Sequence, residues 1–124
     1  MFSREGKNWR LIRDYKRGKY CYLIGVDYWA IELQEHEFNE LYLLIEKLNN
    51  EFLALKSNLM DEELFNLEFE QLQWYAELEG TKNGWSLRII FDGDEQSRSF
   101  EMYWPIQIAE NLFFEIKQMW DSMH

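Results

Sequence analysis

The stretch EHEFNELYLLIEKLNNEFLALKSNL, residues 35–59, decides how this chain is read. Its apolar residues Phe38, Leu41, Ile45, Leu48, Phe52, Leu55 and Leu59 recur in steps of three and four, the spacing of one face of an α-helix. At 1.5 Å per residue a helix over 35–58 is about 36 Å long, against a radius of gyration of about 14 Å for a domain of this size. Such a helix crosses the whole molecule. Burying its stripe is worth roughly 10 to 20 kcal/mol before chain entropy is subtracted, so the stripe should dominate the core. Two fates are open to it: packing on a sheet of its own chain, or in part against a second copy, since the steps also hold a heptad rhythm.

On either side of this segment the period drops to two. Upstream, Trp9 and Leu11, then Tyr20, Tyr22 and Ile24, then Trp29, Ile31 and Leu33 predict three short strands, parted at Gly18 and over 25–27. Downstream, Phe65, Leu67 and Phe69 share one parity and Leu72, Trp74, Ala76 and Leu78 the other, which predicts a bulge or tight turn near Glu70 and Gln71. Trp85, Leu87, Ile89 and Phe91 make a further strand, and Asp92-Gly93-Asp94 a hairpin turn leading to Phe100, Met102 and Trp104. Pro105 suits the start of a second helix with the stripe Ala109, Leu112, Ile116, Met119 and Met123.

The halves echo one another. Asn8-Trp9-Arg10-Leu11 resembles Gly84-Trp85-Ser86-Leu87, and Tyr28-Trp29-Ala30-Ile31 resembles Tyr103-Trp104-Pro105-Ile106. The chain therefore reads as one α+β domain over 1–124, made of two antiparallel β-meanders each followed by an amphipathic helix, with pseudo-repeat halves of about 6–60 and 61–124. In this reading each helix covers the apolar face of its own strands.

Composition excludes several classes. Across 124 residues, 47% are apolar, 18% aromatic and only one is proline, so the chain is neither disordered nor collagen-like. Cys21 is the sole cysteine, which rules out an intrachain disulfide and a cysteine-based zinc site. No apolar run of signal-peptide length opens the chain and runs such as Leu41 to Ile45 fall far short of a membrane span, so a cytoplasmic protein without membrane contact is expected.

No catalytic, cofactor-binding or metal-ligating residue is assigned. His36 with Glu32 and Glu40 at helical spacing reads as a solvated helix start rather than a metal site. Asp92, Asp94 and Glu95 lack the glycine and glutamate spacing of a calcium loop and read as a turn. Glu68 and Glu70 share a strand face, but acid–base work needs a pocket that raises one pKa. Neither a glycine-rich phosphate loop nor a nucleophile elbow is present, so an enzyme is not expected.

Charge is more informative. Residues 1–20 hold seven bases against Glu5 and Asp14, while the whole chain carries −10. The bases interleave with aromatics, so Trp9, Arg10, Arg13, Tyr15, Lys16, Arg17 and Lys19 form a candidate single-stranded nucleic-acid site, although Lys16, Arg17 and Gly18 read equally well as a solvated hairpin tip. The polar face of the second-half sheet carries Glu68, Glu70, Glu77, Glu79, Asp92 and Glu101 against Arg88, and repels phosphate. Net charge disfavours nucleic acid overall. The preferred expectation is a non-enzymatic binding or assembly module acting through protein–protein contacts, as a homodimer or with a basic protein partner. The alternative is a single-stranded nucleic-acid-binding regulator using the basic hairpin.

The segments Asn8-Trp9-Arg10, Tyr22-Leu23-Ile24-Gly25, Trp29-Ala30-Ile31-Glu32-Leu33, Asn58-Leu59-Met60-Asp61-Glu62-Glu63 and Trp104-Pro105 resemble a small cyanobacterial family of unknown function that also occurs in the plastid lineage. The resemblance runs from about residue 6 to 120. It implies a fold similar to Whirly-type single-stranded-DNA-binding regulators, with repeated antiparallel strands followed by a helix, and self-association. It implies no catalytic or ligand-binding residue. Val26-Asp27 stands where the family tends to have a glycine, and Gln34 where a good helix N-cap would stand.

Overall fold

Eight strands and two helices are laid out in the computed structural model, which describes residues 1–94 and 98–123. Strands β1 (Phe2–Gly6), β2 (Trp9–Arg13), β3 (Tyr22–Val26) and β4 (Trp29–Leu33) form one antiparallel sheet in that order, and helix α1 (Glu35–Lys56) follows. Strands β5 (Phe65–Gln71), β6 (Trp74–Thr81), β7 (Gly84–Phe91) and β8 (Phe100–Trp104) form a second antiparallel sheet, followed by α2 (Ile106–Met123). The class is α+β with a duplicated meander plus helix, as the periodicities predict.

The sequence reading missed β1. This edge strand pairs with β2 from Phe2↔Arg13 to Gly6↔Trp9, yet only Phe2 on it is even partly buried. A strand wet on both faces shows no apolar alternation, so period-two analysis passes over it. Tyr20 also falls outside, because the β2–β3 link holds a single 3₁₀ turn at Tyr15–Arg17. Asp14 caps that turn by accepting from the Lys16 N–H at 3.1 Å, and Gly18 leaves it at φ 85°, a conformation glycine adopts without steric cost.

Helix α1 begins where its period begins, despite the weak cap residue. The Glu37 carboxylate reaches back and accepts from the Gln34 N–H at 2.8 Å, the second half of a capping box. The stripe residues Phe38, Leu41, Ile45, Leu48 and Phe52 are at most 2% exposed, so they pack within the chain and not against a second copy. Leu55 lies past the buried part, at 39% exposure.

The chain divides into two compact units: Met1–Leu43 together with the chain from Asn111 onward, and Leu44–Glu110. Both helices are shared between them, in place of the expected arrangement of one helix per sheet. In the first unit Leu11, Tyr22, Ile24, Val26 and Leu33 are buried along with Phe38, Leu41, Ile116 and Met119. Tyr22 stacks on Phe38 at 4.2 Å and Tyr42 on Trp120 at 4.3 Å. In the second unit Trp74, Leu78, Trp85, Ile89 and Trp104 are buried along with Ile45, Leu48, Phe52 and Ala109.

Two details carry predictions. Leu72 and Gln73 form the β5–β6 turn just past the expected position, and Leu72 sits there at φ 56° with its side chain in water. The left-handed conformation costs a non-glycine residue roughly 1–2 kcal/mol, and glycine's extra chain entropy takes back about 0.5–1 kcal/mol. Leu72→Gly should therefore stabilise the fold by about 0.5–1 kcal/mol, read as a raised urea midpoint at constant slope.

The second detail is Tyr22. Burial first, then a hydrogen bond with Tyr15, push its hydroxyl well above the ordinary value of 10.0. The folded chain holds that proton more tightly than the unfolded chain, so this contribution is full below the unfolded pKa and falls as pH rises past it. Tyr22→Phe should flatten the stability loss measured by urea titration from about pH 9 to 11.

The sequence echoes do not mark equivalent places. Trp9 opens β2, whereas Trp85 lies in β7; Trp29 opens β4, whereas Trp104 closes β8. The repeated unit is the meander and helix, whose burial pattern recurs without those residues coinciding.

Candidate functional site

The N-terminal bases do not share one surface. Alternation along β2 puts Trp9 and Arg13 on the face that buries Leu11, and Arg10 on the opposite face. The Arg10 guanidinium lies against Gly25 of β3, which makes room for it: a Cβ there would sit 3.0 Å from Nε. Arg13 is held over the Phe2 and Tyr15 rings, at 5.7 and 5.9 Å. Arg17 pairs with Glu32 on β4 at 2.5 Å. Lys19 lies over Tyr20 at 5.8 Å, and Tyr15 and Lys16 are exposed on the 3₁₀ turn. Of the seven, Arg13 and Tyr15 meet directly, Trp9 shares Arg13's sheet face, and the rest are dispersed.

The metal-like groupings are likewise taken apart. Glu32 is on β4 and not on the helix with His36 and Glu40, so the supposed helical spacing does not exist. Among the described residues no group of three or more His, Cys, Asp or Glu side chains is gathered as metal ligands. Glu95 lies outside the described residues. Asp92 accepts from the Ser99 hydroxyl at 3.4 Å, and that hydroxyl accepts from the Gly93 N–H at 3.1 Å, which closes the β7–β8 link.

The second sheet assembles a surface. Strand register places Glu68 opposite Glu77, Glu77 opposite Arg88, and Arg88 opposite Tyr103, so all four share the outer face. Glu70, Tyr75, Glu79, Ile90 and Glu101 share it by the same alternation. Arg88 donates to Glu101 at 2.7 Å, and this hydrogen bond raises the guanidinium pKa further. Partial burial first, then the charges of Glu68 and Glu77, raise the Tyr75 hydroxyl. Like charges directly opposite one another weaken a sheet. The Glu68–Glu77 pair therefore acts against the fold, and Arg88, directly opposite Glu77, offsets only part of that repulsion because it is also bonded to Glu101.

A groove of about 550 Å³ opens at one end of this face, lined by Leu64, Phe65, Asn66, Glu79, Gly80, Ser86, Tyr103 and Ile106. The Asn66 amide donates to Glu79 at 3.3 Å on its wall. Its rim is apolar and wet: Leu64, Tyr103 and Ile106 are 81%, 51% and 46% exposed. Sequence reasoning found the glutamates and missed the groove. Tyr75, Ile90 and Tyr103 were legible as apolar residues in the glutamates' parity; the convergence of Leu64, just before β5, and Ile106, the first residue of α2, left no periodic signal.

A meander and helix occurring twice, with an acidic outer face and an apolar-rimmed groove on the second sheet, define an α+β class of fold. Within it, the chain belongs to the family described as Domain of unknown function (DUF1818), whose model matches residues 4–119. The fold is similar to the crystal structure of a protein with unknown function from the DUF155 family of Prochlorococcus sp. NATL2A, at 36% identity and TM-score 0.90, covering 97% of this chain and 99% of that one. No curated protein matches the chain. Membership in a family of unknown function agrees with the resemblance carried by the Trp-Ala-Ile-Glu-Leu and Leu-Met-Asp-Glu-Glu segments. No helix among the described residues is long and apolar enough to cross a membrane.

Proposed function

We propose that this protein is a non-enzymatic binding module that docks a basic protein segment on the outer face of β5–β8. The observation that carries this reading is the make-up of that face: Glu68, Glu70, Glu77, Glu79 and Glu101 surround a single arginine, Arg88, which is already engaged by Glu101. A partner's lysine or arginine beside Glu68 and Glu77 relieves their mutual repulsion, so association and fold stability are linked. The Whirly-type fold that the sequence resemblance implies would likewise offer a sheet surface to a ligand. Here the chemistry of that surface selects cations over phosphates. The Prochlorococcus origin of the similar structure supports a cyanobacterial setting. Self-association belongs to the same proposal, through the half-exposed Leu43 and Leu53 of α1, and light scattering on the purified protein reads it separately.

Fluorescence anisotropy with a labelled lysine/arginine peptide and a labelled single-stranded oligonucleotide tests the reading. The peptide should bind at low salt and weaken as salt rises. Glu68→Lys with Glu77→Lys should cut its affinity about tenfold or more, while Glu51→Lys with Glu62→Lys, the same charge change elsewhere, should cost far less. Oligonucleotide binding that is lost on charge reversal at Arg13 and Arg17 would overturn the proposal in favour of the nucleic-acid reading.

A further inference from the structure

The groove bounded by Leu64, Tyr103 and Ile106 is not explained by the acidic face alone. Exposed large apolar side chains scattered singly are ordinary, but here three converge on a concave site beside a charged surface. Glu79 belongs to both features, since its side chain stands on the acidic face and lines the groove wall. Among the described residues no cation lines the groove, and Lys82 in the adjoining β6–β7 turn is tied to Asp61. The site therefore offers apolar contact at its rim and negative charge at its wall. That combination disfavours nucleotides, phosphates and anionic lipid headgroups, and suits an apolar side chain with cations on either side.

We infer that the groove is the anchor site of the docked segment: one leucine- or phenylalanine-sized side chain enters between Leu64, Tyr103 and Ile106 while a flanking lysine or arginine meets Glu79. The inference rests on the proposed function above and adds to it a sequence requirement on the partner. A buried apolar anchor surrounded by a polar rim is how protein interfaces concentrate their binding free energy.

Two short peptides test it on the unaltered chain: a lysine/arginine peptide with one central leucine, and the same peptide with alanine there. The leucine peptide should bind about tenfold tighter or more, the scale expected for burying that side chain. The advantage should vanish in Leu64→Ser with Tyr103→Ser, two exposed positions whose replacement should leave melting unchanged. Equal affinity of the two peptides for the unaltered chain would overturn the anchor while leaving the acidic-face reading intact. A leucine advantage that survives in the double variant would overturn the groove as its location. Binding of neither peptide at low salt would remove both proposals together.

Discussion

Ile45→Asp should leave the chain largely unfolded at neutral pH. Ile45 is fully buried in the middle of the α1 stripe, with Leu44 and Leu48 buried beside it. An aspartate there either keeps its charge in an apolar site or takes up a proton to avoid it, and in both cases the isoleucine's own burial is lost. The combined cost is about 5 kcal/mol or more, comparable to the whole stability of a small domain. Burial raises the new carboxyl's pKa in the fold above its unfolded value, so the variant's stability is greatest below the unfolded pKa and is lost as pH rises through the folded one. Partial recovery on lowering pH from about 7 to 5 is therefore expected. Ile45→Val, which only removes a methylene, should cost about 1 kcal/mol.

Cys21 supplies the readout. It is 4% exposed, and burial raises its thiol pKa, so a thiol reagent should spare it in the folded chain. Rapid labelling in Ile45→Asp at neutral pH, with protection returning in acid, is the expected result. Unchanged melting and unchanged thiol protection would show that the stripe does not carry the core.

Trp104→Ala should cost about 3–5 kcal/mol, the range for removing a fully buried aromatic side chain. Trp104 is wholly buried at the end of β8, opposite Leu87 and one residue before the proline that precedes α2. Its loss leaves a cavity where strand and helix join. Trp104→Phe should be much milder. It restores most of the packing, and the indole N–H it deletes has no hydrogen-bond acceptor among the described residues, so no bond is lost with it. Urea midpoints for the two variants give the comparison directly; equal losses would mean that the N–H, and not the ring's bulk, matters there.

The strands that were legible from sequence are those with one wet and one dry face. β7 reads cleanly because Trp85, Leu87, Ile89 and Phe91 are all buried on one side. β1 does not, because its side chains are nearly all exposed and its place is set by hydrogen bonds to β2. Backbone pairing is common to every residue type and leaves little trace in side-chain pattern. The echo between the tryptophans pointed to the right architecture through residues that are not equivalent. The pattern of burial is duplicated, and aromatic residues fill whichever positions the packing offers.

The candidate sites divide in the same way. The acidic face was legible, because alternation alone assigns Glu68, Glu77, Glu79 and Glu101 to the side opposite the core. The basic hairpin was not, because clustering in sequence over residues 1–20 says nothing about faces: the β2 alternation sends Arg10 one way and Trp9 and Arg13 the other, while Arg17 finds Glu32 across the sheet.

What the order of residues settled by itself is local and periodic: a long amphipathic helix over Glu35–Lys56, strands whose parity separates wet from dry, and the sign of charge on each strand face. Tertiary structure alone decided which sheet each half of that helix serves, which bases meet, and that Leu64, Tyr103 and Ile106 converge on one groove. Periodicity reports the environment of a residue relative to its own element. Partners distant in sequence are chosen by packing of whole elements, whose free energy depends on shape and contact that no single segment contains.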